Sequence, residues 1–165
     1  MSREEADYIL TQLHRLRRYL LARANDSTLQ YLHPKIDRVS NKLYLEGNYA
    51  EASENAFKEI ASRVRKLFLI INPAQQPPSS DSTLMTTVFS VDNPMLHFCD
   101  TTNETGKNIQ KGYMLILSGA MSSLRNPNAH ANEKISKDDC SRQLIFASHL
   151  MYKIDEAVAY SKIHE

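Results

Sequence analysis

Leu45-Glu46-Gly47-Asn48-Tyr49-Ala50-Glu51-Ala52 decides the fold, because it ends one helix and starts another within a few residues. Gly47 suits the left-handed position just past a helix C-terminus, and Asn48 with Glu51 makes a capping-box-like start for the next helix. Upstream, His33-Pro34 opens the first helix, with Pro34 at a first helical position where its missing N–H costs nothing. Ile36, Val39, Leu43 and Tyr44 mark its buried side. Downstream, Ala52, Ala56, Ile60, Val64, Leu67 and Ile71 recur at intervals of three and four, the period of a core helix. Two such helices joined by so short a link fold back on each other as an antiparallel hairpin.

The same reading extends both ways. Residues 3 to about 25 carry Ile9, Leu13, Leu16 and Leu20 on one stripe, with His14, Arg15, Arg17, Arg18 and Arg23 in the same segment. Those cations form either a solvated basic face or a phosphate-contacting helix. Asn25 to Tyr31 breaks the pattern. Asn72-Pro73 ends the second hairpin helix, and Pro77-Pro78-Ser79-Ser80-Asp81-Ser82 reads as an exposed loop. Leu84 to Phe89 and Met95 to Phe98 read as short helical pieces of a lid packed on the core. Glu104 to Arg125 is strongly helical, with Ile109, Tyr113, Ile116, Ala120 and Leu124 on one stripe. Gly112, Gly119 and Ala120 would let another helix approach closely. Ser136 with Asp139 resembles a capping box, and Cys140, Leu144, Ala147, Met151, Ile154 and Val158 form the apolar face of a last helix. The expected fold is all-α, an up-and-down bundle of about four or five long helices with a loop-rich segment near 72–103. It forms a single domain over 1–165, with 1–25 an additional N-terminal helix.

Composition narrows the class of function. A chain of 165 residues with 42% hydrophobic side chains can bury a sizeable core, and only four glycines favour helices over a turn-rich β fold. A net charge of +1 makes no broad basic field, so any nucleic acid must be held by a local patch. The charged opening lacks the apolar core of a signal peptide, and no apolar run can span a bilayer. Cys99 and Cys140 stand in neither a CxxC pair nor a metal-ligand spacing, which fits a reducing cytoplasm, no metal, no cofactor and no membrane.

The chemistry points to Leu124-Arg125-Asn126-Pro127-Asn128-Ala129-His130. Pro127 disfavours helical geometry at Asn126, so the long helix is expected to stop at Arg125 or just beyond. Asn126 suits the cap of a new turn with Pro127 at its first position, which leaves Arg125 and His130 flanking a corner. Ser118 and Ser122 precede Arg125 on its face of the helix and are candidate substrate contacts. An imidazole that titrates near neutrality can take or give a proton, and a guanidinium offers a fixed fork of donors to phosphate oxygens. RNA supplies its own nucleophile, the 2′-OH beside the scissile phosphate, so the set suits metal-free RNA cleavage. The bland alternatives are a helix-terminal cation at Arg125, a plain cap at Asn126 and an exposed loop residue at His130. A second Arg–His pair, Arg142 and His149, lies mid-helix and reads as ordinary flanking residues. His33 is expected to serve the helix start, His97 a loop, and Asp138 and Asp139 the start of the last helix. Tyr44, Tyr49 and Tyr113 fit either base stacking or the core.

These residues resemble the HEPN superfamily, small helical proteins that share an Arg-x(4–6)-His motif, and more narrowly its Ymh-type branch. The resemblance runs through Leu32-His33-Pro34, Leu45 to Ala52, Lys111-Gly112-Tyr113, Ser118-Gly119-Ala120 and Arg125 to His130, and covers roughly residues 32 to 155. It implies a metal-independent endoribonuclease of phage defence, toxin–antitoxin systems or RNA processing. Arg125 would stabilise the phosphate, His130 would be the acid–base group and Asn126 the polar auxiliary. It also implies RNA as substrate, a homodimer with one composite cleft, and a possible antitoxin or effector partner. Catalytically silent members act as binding or scaffolding modules, which is the alternative reading.

Overall fold

The computed structural model describes residues 3–25, 27–125 and 135–164. Its helices are α1 (Arg3–Asn25), α2 (Ser27–Gln30), α3 (Pro34–Leu45), α4 (Tyr49–Ile71), α5 (Asp81–Val88), α6 (Glu104–Ser123) and α7 (Lys137–Tyr160). No strand occurs among the described residues. The all-α expectation holds.

α3 and α4 pack as a hairpin, with α7 against both, and the paired α5 and α6 also pack on α4. Gly47 makes the turn at φ +84°, a conformation that favours glycine. Asn48 is the N-cap of α4, but its side chain makes no capping hydrogen bond, so the expected box with Glu51 does not form. The turn is closed by backbone instead, Asn48 N donating to Leu43 O at 2.8 Å. α4 buries Ala52, Ala56, Ile60, Val64 and Leu67 as its spacing predicts, facing Ile36 and Tyr44 of α3 and Leu144, Ala147, Met151 and Ile154 of α7. Each large side chain fully buried here contributes about 1.5–3 kcal/mol of hydrophobic free energy. Ser136 caps α7 as expected: its Oγ accepts from Asp139 N at 3.1 Å and donates to Asp139 Oδ2 at 2.7 Å.

Three further expectations about residues 95–125 need correction. Residues 95–98 are irregular, not helical. Gln110, fully buried on α6, staples them: Nε2 donates to Phe89 O and Leu96 O, while Oε1 accepts from Phe98 N at 3.0 Å. The segment still packs on the core as a lid would, with Leu96 buried and Phe98 stacked on Phe89. The buried face of α6 is Gly106, Gln110, Leu117, Ala120 and Met121, while Ile109 and Ile116 are exposed. A polar residue at 110 hides the true stripe from a hydrophobicity reading. Finally, α6 ends at Ser123 with Leu124 as its C-cap, earlier than the proline alone requires.

α1 departs most from a bundle. Ile9, Leu13, Leu16 and Leu20 form the expected stripe, yet all four are exposed. Leu29 and Leu32, just after it, are buried and anchor the chain before α3.

Candidate functional site

α4, α5 and α6 converge where Arg125 leaves the end of α6. Its Nε lies 2.9 Å from Asp81 Oδ2, and the other oxygen of that carboxylate accepts from Arg65 of α4 at 2.7 Å. Arg65 also donates to Pro78 O at 2.8 Å, fixing the loop that leads into α5. The buried Arg125 Nε–H is not aimed at Oδ2, so the contact is one of charge, without a formed hydrogen bond. Asp81 opens α5 with Ser80 as its N-cap, where the positive end of the helix favours a carboxylate. Only 11% of its side chain is exposed, against 39% for Arg125 and 32% for Arg65. Two guanidiniums around one carboxylate leave a net positive corner, partly open to water.

Ser118 lies on the same side of α6. Its hydroxyl pairs with Ser82 of α5 at 2.7 Å, and its carbonyl accepts from Ser122 Oγ at 3.1 Å. Ser118 thus helps seat α5 on α6, while Ser122 is exposed and returns its hydroxyl to its own helix. Arg125 and Ser118 therefore border the same α5 start. Asn126 and His130 fall outside the described residues.

Reading residues 77–82 as a loop is correct only to Ser80. Asp81 is the first helical residue and the hub of the site, and neither it nor Arg65 stands out in the sequence. The available signal was Ser80 at N-cap spacing from Thr83, with Asp81 in a first turn.

A histidine–carboxylate contact elsewhere offers itself as chemistry and fails the test. His33 caps α3: its Nδ1 accepts from Lys35 N at 3.0 Å and its Nε2 donates to Asp155 Oδ2 at 2.9 Å. Arg63, 6% exposed, reaches Asp155 Oδ1 at 2.6 Å. Burial pushes the Asp155 carboxyl up, but hydrogen bonds from Arg63 and then His33 outweigh it and hold it below the usual carboxylate range. Both ring nitrogens of His33 are committed, so neither serves a substrate. The cluster joins α3, α4 and α7, in keeping with the helix-start role read from sequence.

The remaining candidates are structural. Arg142 pairs with Asp138 and Asp139 on exposed α7 surface, and His149 leans on Tyr113. His97 is tied through its backbone to Ser161 Oγ. Tyr44 is buried, while Tyr49 and Tyr113 are half-buried in aromatic contacts. A groove of about 540 Å³ beside Asn72, Gln75, Pro78, Thr86 and Asn93 has no ionisable side chain among the described residues of its lining. No cluster of metal-ligating side chains occurs among the described residues. No helix among them is long and apolar enough to cross a membrane.

A family model described as a protein of unknown function, Hypoth_Ymh, matches residues 30–154. That span takes in α3 to most of α7 and leaves α1 outside. No curated protein and no solved structure matches the chain.

Proposed function

We propose, from the premise that the chain belongs to the Hypoth_Ymh family, that it is a metal-independent endoribonuclease of HEPN type. The carrying observation is the Asp81-bridged pair of Arg65 and Arg125 at the foot of the Arg-x4-His stretch. In this reading the 2′-oxygen attacks the adjacent phosphorus and the 5′-oxygen leaves. The products are a 2′,3′-cyclic phosphate and a 5′-hydroxyl. Arg125 balances the charge that builds on the phosphate, His130 moves the proton at one of the two oxygens while water serves the other, and Asn126 orients the phosphate or the imidazole. Ser118 and Ser122 border the substrate. Phage defence or a toxin–antitoxin system in the cytoplasm is the setting that the resemblance favours.

A homodimer with a composite cleft is part of the proposal. It is supported by α6, whose Ile109, Leu115 and Ile116 are exposed and whose Gly112 and Gly119 face open space. A face so bare lets the same helix of a second copy come close. Incubation of pure protein with structured and unstructured RNA in EDTA tests the activity. Cleavage is expected from the wild type and lost in Arg125→Ala and His130→Ala. Cleavage that persists in His130→Ala removes that residue from the mechanism.

The second reading is a catalytically silent module that binds RNA or serves an antitoxin or effector as scaffold. One observation favours it: the carboxylate of Asp81 already sits against Arg125. Equal toxicity of wild type and Arg125→Ala at equal expression would decide for it.

A further inference from the structure

α1 lies only lightly on α3, with Gln12, Arg15 and Leu16 beside Lys42 and Glu46, and buries almost nothing there. Of its described side chains only Ala6 is half-buried, and Leu13 and Leu16 stand 55% and 53% in water. In proteins most of a helix's stability comes from burial of an apolar face. That face is regular: Ala6, Ile9, Leu13, Leu16 and Leu20 alternate by three and four, the a/d seam of a coiled coil. His14, Arg15 and Arg18 fall at the outer heptad positions and Arg17 beside the seam, so no cation interrupts it.

Charge decides the direction of the partner. Glu4, Glu5 and Asp7 fill the first two turns, and no acidic residue follows from Tyr8 to Asn25, where Arg15, Arg17 and Arg18 sit. Two such helices side by side in parallel set acid against acid and cation against cation. Antiparallel with Leu13 opposite Leu16, the acidic opening of each helix lies opposite residues 22–25 of the other, which hold Arg23 and no acid. A register with Ile9 opposite Leu20 and Leu13 opposite Leu16 of the second copy stacks four apolar layers. We propose that α1 pairs antiparallel with α1 of a second copy of this chain through this seam.

The area at stake is on the order of 1,000 Å², at the lower edge for a specific interface, so the pair is a reversible one. α1 lies outside the matched 30–154 span. The pairing does not rest on the nuclease reading. An anionic lipid surface is the rival occupant, disfavoured by the acidic opening turns.

Cysteine pairing in the full-length protein tests both partner and direction. Cys99→Ser provides the background. Cys140 stays because it is buried and burial pushes its thiol up to about 12, which keeps it unreactive. Ile9→Cys and Leu20→Cys are prepared separately and oxidised mildly, alone and mixed. The expected result is covalent dimer in the mixture at about ten times the yield of either variant alone. Adding Leu13→Glu and Leu16→Glu, both at exposed positions, should abolish it, whereas Arg125→Ala should leave it unchanged. Equal self-pairing of each single variant overturns the antiparallel arrangement. Absence of pairing in the mixture overturns the proposal altogether, as does binding to phosphatidylglycerol vesicles that Leu13→Glu/Leu16→Glu removes without any cross-link. A dimer formed through another face changes the mass but gives no 9–20 bond.

Discussion

Arg125 Nε and Asp81 Oδ2 lie 2.9 Å apart, and the opposite oxygen of the same carboxylate holds Arg65 at 2.7 Å. One carboxylate therefore ties the end of α6 to α4 through the first residue of α5. Asp81→Asn keeps the shape and removes the charge. Under the nuclease reading it is expected to lower kcat about tenfold with little change in KM, because it frees the phosphate-stabilising group without removing it. Stability should fall by roughly 1 kcal/mol, a buried-pair cost discounted for the partial exposure of both arginines. Single-turnover RNA cleavage and urea unfolding measure the two effects. An unchanged kcat alongside the stability loss would make Asp81 purely structural.

The contrast between Asp81 and His33 shows what the sequence can and cannot carry. His33-Pro34 announces a helix start through local chemistry, and the structure places a cap there. Asp81 acquires its role from Arg65 and Arg125, whose separations along the chain leave no local trace. The same holds for α6. Its period is legible, but Gln110 occupies the innermost position because three backbone groups of the 89–98 segment need its amide, so the apolar stripe points to the wrong face. The helical hairpin and α7 were legible because their cores are mostly apolar, although Ser40 and Asn41 of α3, Arg63 of α4 and Ser148 of α7 are buried among them. Asn126 and His130 remain a sequence argument.

Asp155 gives a pH dependence. Its carboxyl lies below the usual range in the fold, so the unfolded chain takes up its proton first as pH falls. Its contribution is fully present above about pH 4, the unfolded value, and is lost as pH drops through the folded one. Asp155→Asn should therefore flatten the acid side of the stability–pH curve. At neutral pH it should cost about 2 kcal/mol, less than a wholly buried pair, because Arg63 is buried while Asp155 is 41% exposed. Urea midpoints between acid and neutral pH provide the measurement. An acid slope equal to the wild type would rule Asp155 out as its source.

Gly106 is held by space, since a Cβ added there would lie 1.8 Å from Asp100 O. That oxygen is backbone and cannot swing aside, so Gly106→Ala must shift the start of α6 or the 100–103 turn. The expected loss is about 2–3 kcal/mol, at the upper end for overpacking, despite the better helix propensity of alanine. Thermal unfolding reads it directly. A Tm at or above that of the wild type would mean that the turn yields freely.

Gly112 and Gly119 reverse the sign. A Cβ at either meets nothing within 4 Å in the single chain, so Gly112→Ala and Gly119→Ala should each stabilise the isolated protomer by roughly 0.5–1 kcal/mol through backbone entropy. The same methyl groups would intrude on a helix laid against Ile109 and Ile116 from a second copy. If the composite cleft forms through this face, the double variant unfolds at higher urea when dilute, yet its dimer dissociates at a higher protein concentration in sedimentation equilibrium. The two measurements then move in opposite directions. Stabilisation with unaltered association would leave the α6 face in water and move any shared cleft to another surface.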